Sequence, residues 1–284
     1  MPASETFPEL IARMRPRLHR YCARMVGSAF DGEDVTQEAL AKAAVAWSAG
    51  IELPERWLMR IAHNAALDAL RRRKREAAQR GEAEMDEIAD ARAAADARVA
   101  ARASLAAFMA LTPLQRGAVI LADVLGHAMA ETTEVLGVTE ASAKAALHRG
   151  RAALRRNADV DFTPAPISPA EKLRLTAYAD RFNARDFDAL RTLLAEDVRL
   201  NLAPSIRLEG AADVGVYFTR YSENPSFSVR LCLAEGRPAL LVSDPVNGAD
   251  YVVLLEWRGE HITAVRDYRY APYVAEAVRV EALT

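Results

Sequence analysis

Residues 76–102, EAAQRGEAEMDEIADARAAADARVAAR, hold only Met85, Ile88 and Val99 as large apolar side chains. Such a stretch cannot join a hydrophobic core, because it buries too little to offset the entropy of ordering it. It therefore divides the 284-residue chain. A second break falls at DVDFTPAPISPAEK, where Pro164, Pro166 and Pro169 favour an extended connector. Three blocks remain, 1–75, 103–157 and 170–284, joined by an acidic linker at 76–102 and a Pro-rich linker at 158–169. A net charge of −2 argues against a nucleic-acid binder, but the charge is segregated. Residues 1–75 carry 13 Lys/Arg against 9 Asp/Glu, and residues 97–157 carry 8 against 4. Residues 76–96 carry 2 against 7, and residues 158–284 carry 14 against 19. Two basic blocks thus flank an acidic tether, with an acidic block after them.

The first two blocks have helical periodicity alone. Leu40, Ala43, Ala44 and Trp47 recur at i, i+3, i+4 and i+7, and Leu58, Ile61, Ala62, Ala65 and Ala69 follow the same rule after Pro54, which suits a first helical turn. A helix from Pro54 to Arg75 would be about 33 Å long. Its cationic end, RRRKR at 71–75, complements the helix dipole. The third block begins with helical signals at Leu175, Tyr178, Ala179 and Phe182 and again at Phe187, Leu190 and Leu194. It then alternates as strands do, at Val198, Leu200 and Leu202, at Phe227, Val229, Leu231 and Leu233, and through PALLVSD, YVVLLEW and HITAVRDYRY. The expected fold is multidomain: two all-α blocks, then an α+β domain with an antiparallel meander.

Within 111–156, AMAETTEVL and EASAKAALHRGRAALRR are separated by Gly137-Val138-Thr139, a spacing that suits a helix-turn-helix. The second helix has an apolar stripe of Ala143, Ala146, Leu147, Gly150 and Leu154. Lys144, His148, Arg151 and Arg155 make a separate cationic stripe, with Ser142 and Arg149 beside it. One packed face and one cationic face suit entry into the major groove of DNA. A solvated basic face on an ordinary bundle helix gives the same stripe; the preceding turn and helix favour DNA.

The segment LTPLQR, then ETTEVLGV, then LHRGRAALRR resembles region 4 of the extracytoplasmic-function (ECF) sigma factors, with Thr132, Thr133 and Ala146 departing from its commonest residues. DGEDVTQEALAKAAVAW followed by PERWLMRIAHNAALDALRRRKR is similar to region 2 of the same family. The resemblance covers residues 7–75 and 103–157. It implies that Asp34, Gln37 and Glu38 dock on the β′ clamp helices of core RNA polymerase; as residue chemistry alone, Asp34 is also a helix-capping acid. It implies that Arg60, Asn64, Arg71 and Arg72 meet the −10 element, that the loop from Ser48 to Arg56 holds a flipped base, and that Ser142, Lys144, His148, Arg149 and Arg151 read the −35 element. Trp57, at helical spacing, is read as a core residue with DNA contact as the alternative. The acidic tether is expected to thread toward the polymerase active site.

Residues 170–273 resemble the SnoaL and ketosteroid-isomerase cone through RLTAYADRFNARDFDALRTLLAEDVRLNL and the strands after it. That likeness implies a fused regulatory domain, with a small hydrophobic ligand or an anti-sigma partner as candidate effectors. Were the cone catalytic, Asp197, His261 and Asp267 would be the acid–base candidates, with Tyr178, Tyr217, Trp257, Tyr268 and Tyr270 lining it. The expectation is no catalysis and no cofactor. His19, His63, His127 and His148 form no ligand spacing, and Cys22 and Cys232 stand alone, so no metal site or disulfide is expected. No run approaches the apolar length of a membrane span and MPASETFPELIARMRPR lacks a signal-peptide core, so the expected compartment is the cytoplasm. The rival readings are a helix-turn-helix regulator acting without polymerase and a SnoaL-like cyclase or isomerase with accessory helices.

Overall fold

A computed structural model describes residues 5–48, 50–79, 104–157, 167–203, 206–223, 226–245 and 248–283. Most of both linkers lies outside them, as does Asn247. Two compact units result, Met1–Asp161 and Phe162–Thr284.

In the first unit α1 (Phe7–Val26), α2 (Ala29–Ala46) and α3 (Pro54–Gln79) pack around Leu10, Met14, Leu18, Leu40, Leu58 and Met59. Ser28 caps α2 by accepting the Asp31 N–H at 3.3 Å. α3 runs four residues past the expected end, because Glu76, Ala77, Ala78 and Gln79 are all good helix formers; its 26 residues span about 39 Å. Short helices α4 (Leu105–Met109) and α5 (Pro113–Val119) lead into a π-helical turn at Ile120–Val124, and α6 (Met129–Leu136) and α7 (Glu140–Arg156) complete the unit. Gly137, at φ 67°, takes the left-handed conformation that ends α6 and starts the turn into α7. The stripe Ala143, Ala146, Leu147, Gly150 and Leu154 is buried throughout. At Gly150 a Cβ would come within 2.7 Å of Val119 Cγ2, so the missing side chain lets α7 close on α5.

Residues 1–75 and 103–157 share this one core. Phe108, Val119, Ile120 and Leu136 belong to the same buried cluster as Leu18, Tyr21 and Leu58. At the seam the Tyr21 hydroxyl and His63 Nδ1, both within residues 1–75, are 2.6 Å apart, and Gly117 packs against both. Arg116, 3% exposed, donates to the carbonyls of Phe108, Leu111 and, across the seam, Met25. Backbone carbonyls satisfy this buried guanidinium, as any buried charge requires.

The second unit opens with α8 (Pro169–Asn183) and α9 (Phe187–Arg191), followed by β1 (Leu194–Leu202) and β2 (Ile206–Glu209). α10 (Ala211–Ser222) leads to β3 (Ser228–Ala234), β4 (Arg237–Asp244), β5 (Ala249–Arg258) and β6 (His261–Asp267), and α11 (Pro272–Ala275) and β7 (Val280–Ala282) close it. The sheet order is β2-β1-β6-β5-β4-β3-β7. The expected meander describes β3 to β6, but β1 runs parallel to β6, in register from Arg199 with Ala264 to Leu202 with Asp267. α10 was not anticipated, although Val214, Tyr217, Phe218 and Tyr221 keep a helical spacing and are all buried. Its aromatic rings pack on Phe182, Phe187 and Phe227 in one buried cluster with residues of the sheet.

Candidate nucleic-acid interface

On α7 the burial of one stripe leaves the other outward. Lys144 and Arg149 are exposed, and Ser142 and His148 are half-buried. Thr139 caps the helix by accepting the Ser142 N–H at 3.3 Å, which places Ser142 in the first turn. Lys144 pairs with Glu140 at 2.6 Å, an exposed i,i+4 pair of small energy. Arg151 differs. Its guanidinium donates to both oxygens of Asp123, at 2.8 and 2.5 Å, and Asp123 is 9% exposed. The π-helical turn carries that carboxylate, so Arg151 ties α7 to it while its own side chain stays 36% exposed. Thr132 and Thr133 satisfy their hydroxyls on the α6 backbone, at Ala128 O and Ala130 O.

On α3, Arg60, Asn64 and Arg71 are exposed at i, i+4 and i+11, one stripe along the helix. Leu58, Met59, Ala62, Ala65, Ala66 and Ala69 are buried opposite it. Arg72 stands about a third of a turn away. It points to α2 and pairs with Glu38 at 2.9 Å. Lys42 reaches the other oxygen of Glu38 at 2.8 Å, and these two cations hold that carboxyl below the usual carboxylate range. Of the three residues expected to meet the clamp helices, then, Glu38 is ion-paired, Gln37 donates to Glu33 at 3.2 Å and Asp34 is exposed. Trp57 is half-buried and packs on Trp47, which stacks on Phe7.

The remaining candidates fall in the second unit at two separate places. Asp197 and His261 line an open surface groove with Arg258, whose guanidinium pairs with Asp197 at 2.5 Å. Asp267 is fully buried. Its Oδ2 accepts the hydroxyls of Tyr217 and Tyr221, at 2.5 and 2.9 Å, and its Oδ1 accepts the Arg269 N–H at 2.7 Å. Tyr221 and Tyr251 hydroxyls lie 2.8 Å apart, extending the chain. Burial raises the Asp267 pKa, opposed by these donors, and burial also raises both tyrosines. Tyr178 is buried nearby and Tyr268 is buried, whereas Trp257 is half-buried and Tyr270 is exposed. Sequence reasoning missed Tyr221 and Tyr251. Tyr221 sits at i+4 from Tyr217 and was findable once α10 was seen as a helix; Tyr251 reaches the cluster only through sheet pairing.

Among the described residues no group of three His, Cys, Asp or Glu side chains could hold a metal ion, and no helix is long and apolar enough to cross a membrane.

Comparison with known proteins matches residues 10–76 to Sigma-70 region 2, 102–154 to Sigma-70, region 4, and 175–280 to the SnoaL-like domain. The ECF RNA polymerase sigma factor SigG of Mycobacterium tuberculosis is 31% identical over 72% of this chain and 64% of its own length. The chain therefore spans less than two thirds of that relative. SigM of the same organism is 32% identical over 53% of this chain and 76% of its own length. The sigma factor CarQ of Myxococcus xanthus is 33% identical over 54% of this chain and 89% of its own length.

Proposed function

The chain belongs to the extracytoplasmic-function family of RNA polymerase sigma factors, and from that premise we propose that it directs core polymerase to specific promoters and starts transcription there. The observation that carries the reading is that α3 and α7 each bury an apolar stripe and leave cationic groups outward. Residues 1–75 act as region 2, with Asp34, Gln37 and Glu38 toward the β′ clamp helices and Arg60, Asn64, Arg71 and Arg72 toward the −10 element. Opening that element takes bases out of the stack, which costs a few kcal/mol and is offset by phosphate contacts along α3. Residues 103–157 act as region 4, with Ser142, Lys144, His148 and Arg149 at the −35 duplex. Arg151 aligns α7 through Asp123, since leaving it would strand a buried carboxylate.

Residues 170–284 act as a regulatory domain without catalysis, in the cytoplasm, responding to a small hydrophobic ligand or an anti-sigma partner. The partners already held by the Asp267 carboxyl support the non-catalytic reading, because both of its oxygens accept, from two tyrosine hydroxyls and a backbone amide. The test is co-elution of the labelled chain with purified bacterial core polymerase. Saturable binding that weakens about tenfold or more in D34A/E38A supports the reading; elution of the chain apart from core at micromolar concentrations contradicts it.

A further inference from the structure

Arg56 lies one turn before Arg60 on α3, so Arg56, Arg60, Asn64 and Arg71 continue one stripe at i, i+4, i+8 and i+15. Arg71 pairs with Asp68 on its own helix. Arg56 instead crosses to α6. Its Nη1 meets Glu134 Oε2 and its Nη2 meets Glu131 Oε1, each at 3.0 Å. Glu131 is set in place independently, because its Oε2 accepts the Ala128 N–H at 3.1 Å and caps α6. Nearby, Arg17 of α1 donates to Leu125 O at 3.4 Å and lies 3.2 Å from His127 Nε2.

We propose that Arg56 is a phosphate contact for the melted promoter strand, and that Glu131 and Glu134 occupy its guanidinium in the free chain as two phosphates would. The guanidinium fork fits carboxylate and phosphate oxygens alike, and here two acceptors on different groups take its two Nη atoms. The pair is built to be displaced. Arg56 and Glu131 side chains are about one third exposed and Glu134 about half, so the ion pairs are weak and screened by salt. A polyanion that also releases counterions competes well for such a cation. Strand engagement at the start of the stripe and closure of α6 on α3 therefore exclude one another at a single side chain. The proposal rests on the sigma-factor reading only in taking the α3 stripe to face DNA.

The test is fluorescence anisotropy of a labelled random-sequence single-stranded 20-mer titrated with the full chain over a series of KCl concentrations. E131Q/E134Q is expected to tighten binding about 5–10-fold at low salt and to steepen log K against log salt by about 0.7, one single-strand phosphate. Adding R56Q to that pair returns affinity and slope to wild type. Gln keeps an oxygen for the Ala128 N–H, so α6 remains capped. Tightening of equal size with and without Arg56 overturns the proposal, since the carboxylates would then act by bulk charge. Unchanged DNA binding with stronger binding to core polymerase also overturns it. Hydrogen exchange on the unmodified chain gives a second measurement free of variant folding: saturating 20-mer is expected to reduce protection of α6 amides, and unchanged protection counts against the proposal. Run-off transcription separates the two readings. Arg56-dependent tightening in a chain that directs no initiation leaves the contact standing and removes the sigma role; initiation without the tightening does the reverse.

Discussion

Burial keeps two imidazoles of the first unit neutral. His19 and His63 are pushed down to about 4 from an ordinary 6.5, first by desolvation and then by the arginines around them. The unfolded chain takes up its protons first as pH falls through 6.5, so the stability these residues contribute above that value is lost progressively down to about pH 4. At about pH 5 the loss is on the order of 2 kcal/mol for each. Denaturant unfolding of the first unit is therefore expected to weaken between about pH 7 and pH 5, and less so in H63Q; a pH-independent midpoint would show that neither ring is buried neutral. In the second unit the informative residue is Asp267. D267A removes the carboxylate that accepts two tyrosine hydroxyls and the Arg269 N–H, leaving those hydroxyls only one another and Tyr251, and is expected to cost about 1–3 kcal/mol. D267N keeps one oxygen and removes a buried charge, so it is expected to cost less. Equal thermal midpoints for wild type and D267A would refute the network's structural role.

At the scale of the element, α7 is held by its small residues and aimed by its cations. G150A places a Cβ 2.7 Å from Val119 Cγ2 and 3.1 Å from Gln115 O, and the overpacking is expected to cost about 1–3 kcal/mol in denaturant unfolding. K144A/R149A leaves the buried stripe intact. It is expected to keep the unfolding midpoint while lowering duplex affinity and flattening the salt slope by about 2, one for each phosphate cation lost. The period of the buried stripes made α3, α7 and the helix-turn-helix legible from sequence, because burial on one face leaves a mark every three or four residues. The same rule exposes α10, hidden only by the strand-like segments on either side. What spacing does not mark is a partnership across the chain. Asp123 lies 28 residues before Arg151, and Glu131 and Glu134 lie 75 and 78 residues after Arg56. Each pair forms only because helices far apart in sequence share a core, so neither the tie of Arg151 to Asp123 nor that of Arg56 to α6 is visible until the packing is known. The parallel pairing of β1 with β6 is hidden for the same reason, since alternation fixes which face is buried but not which strand lies alongside.

For the whole molecule, one physical circumstance organises the first unit: the helices that would grip two separate promoter elements share a single core through Tyr21, His63, Arg116 and the Arg56 seam. Under the proposed function, promoter elements far apart on DNA would require those helices to part, and the partners that bind them would have to supply the free energy of opening. Initiation is tested by mapping the transcript 5′ ends made from genomic DNA by purified core polymerase, with and without the chain. Start sites present only with the chain are expected, sharing one upstream duplex element and one melted element at constant spacing, and lost in K144A/R149A. The same 5′ ends with and without the chain would refute the sigma-factor role.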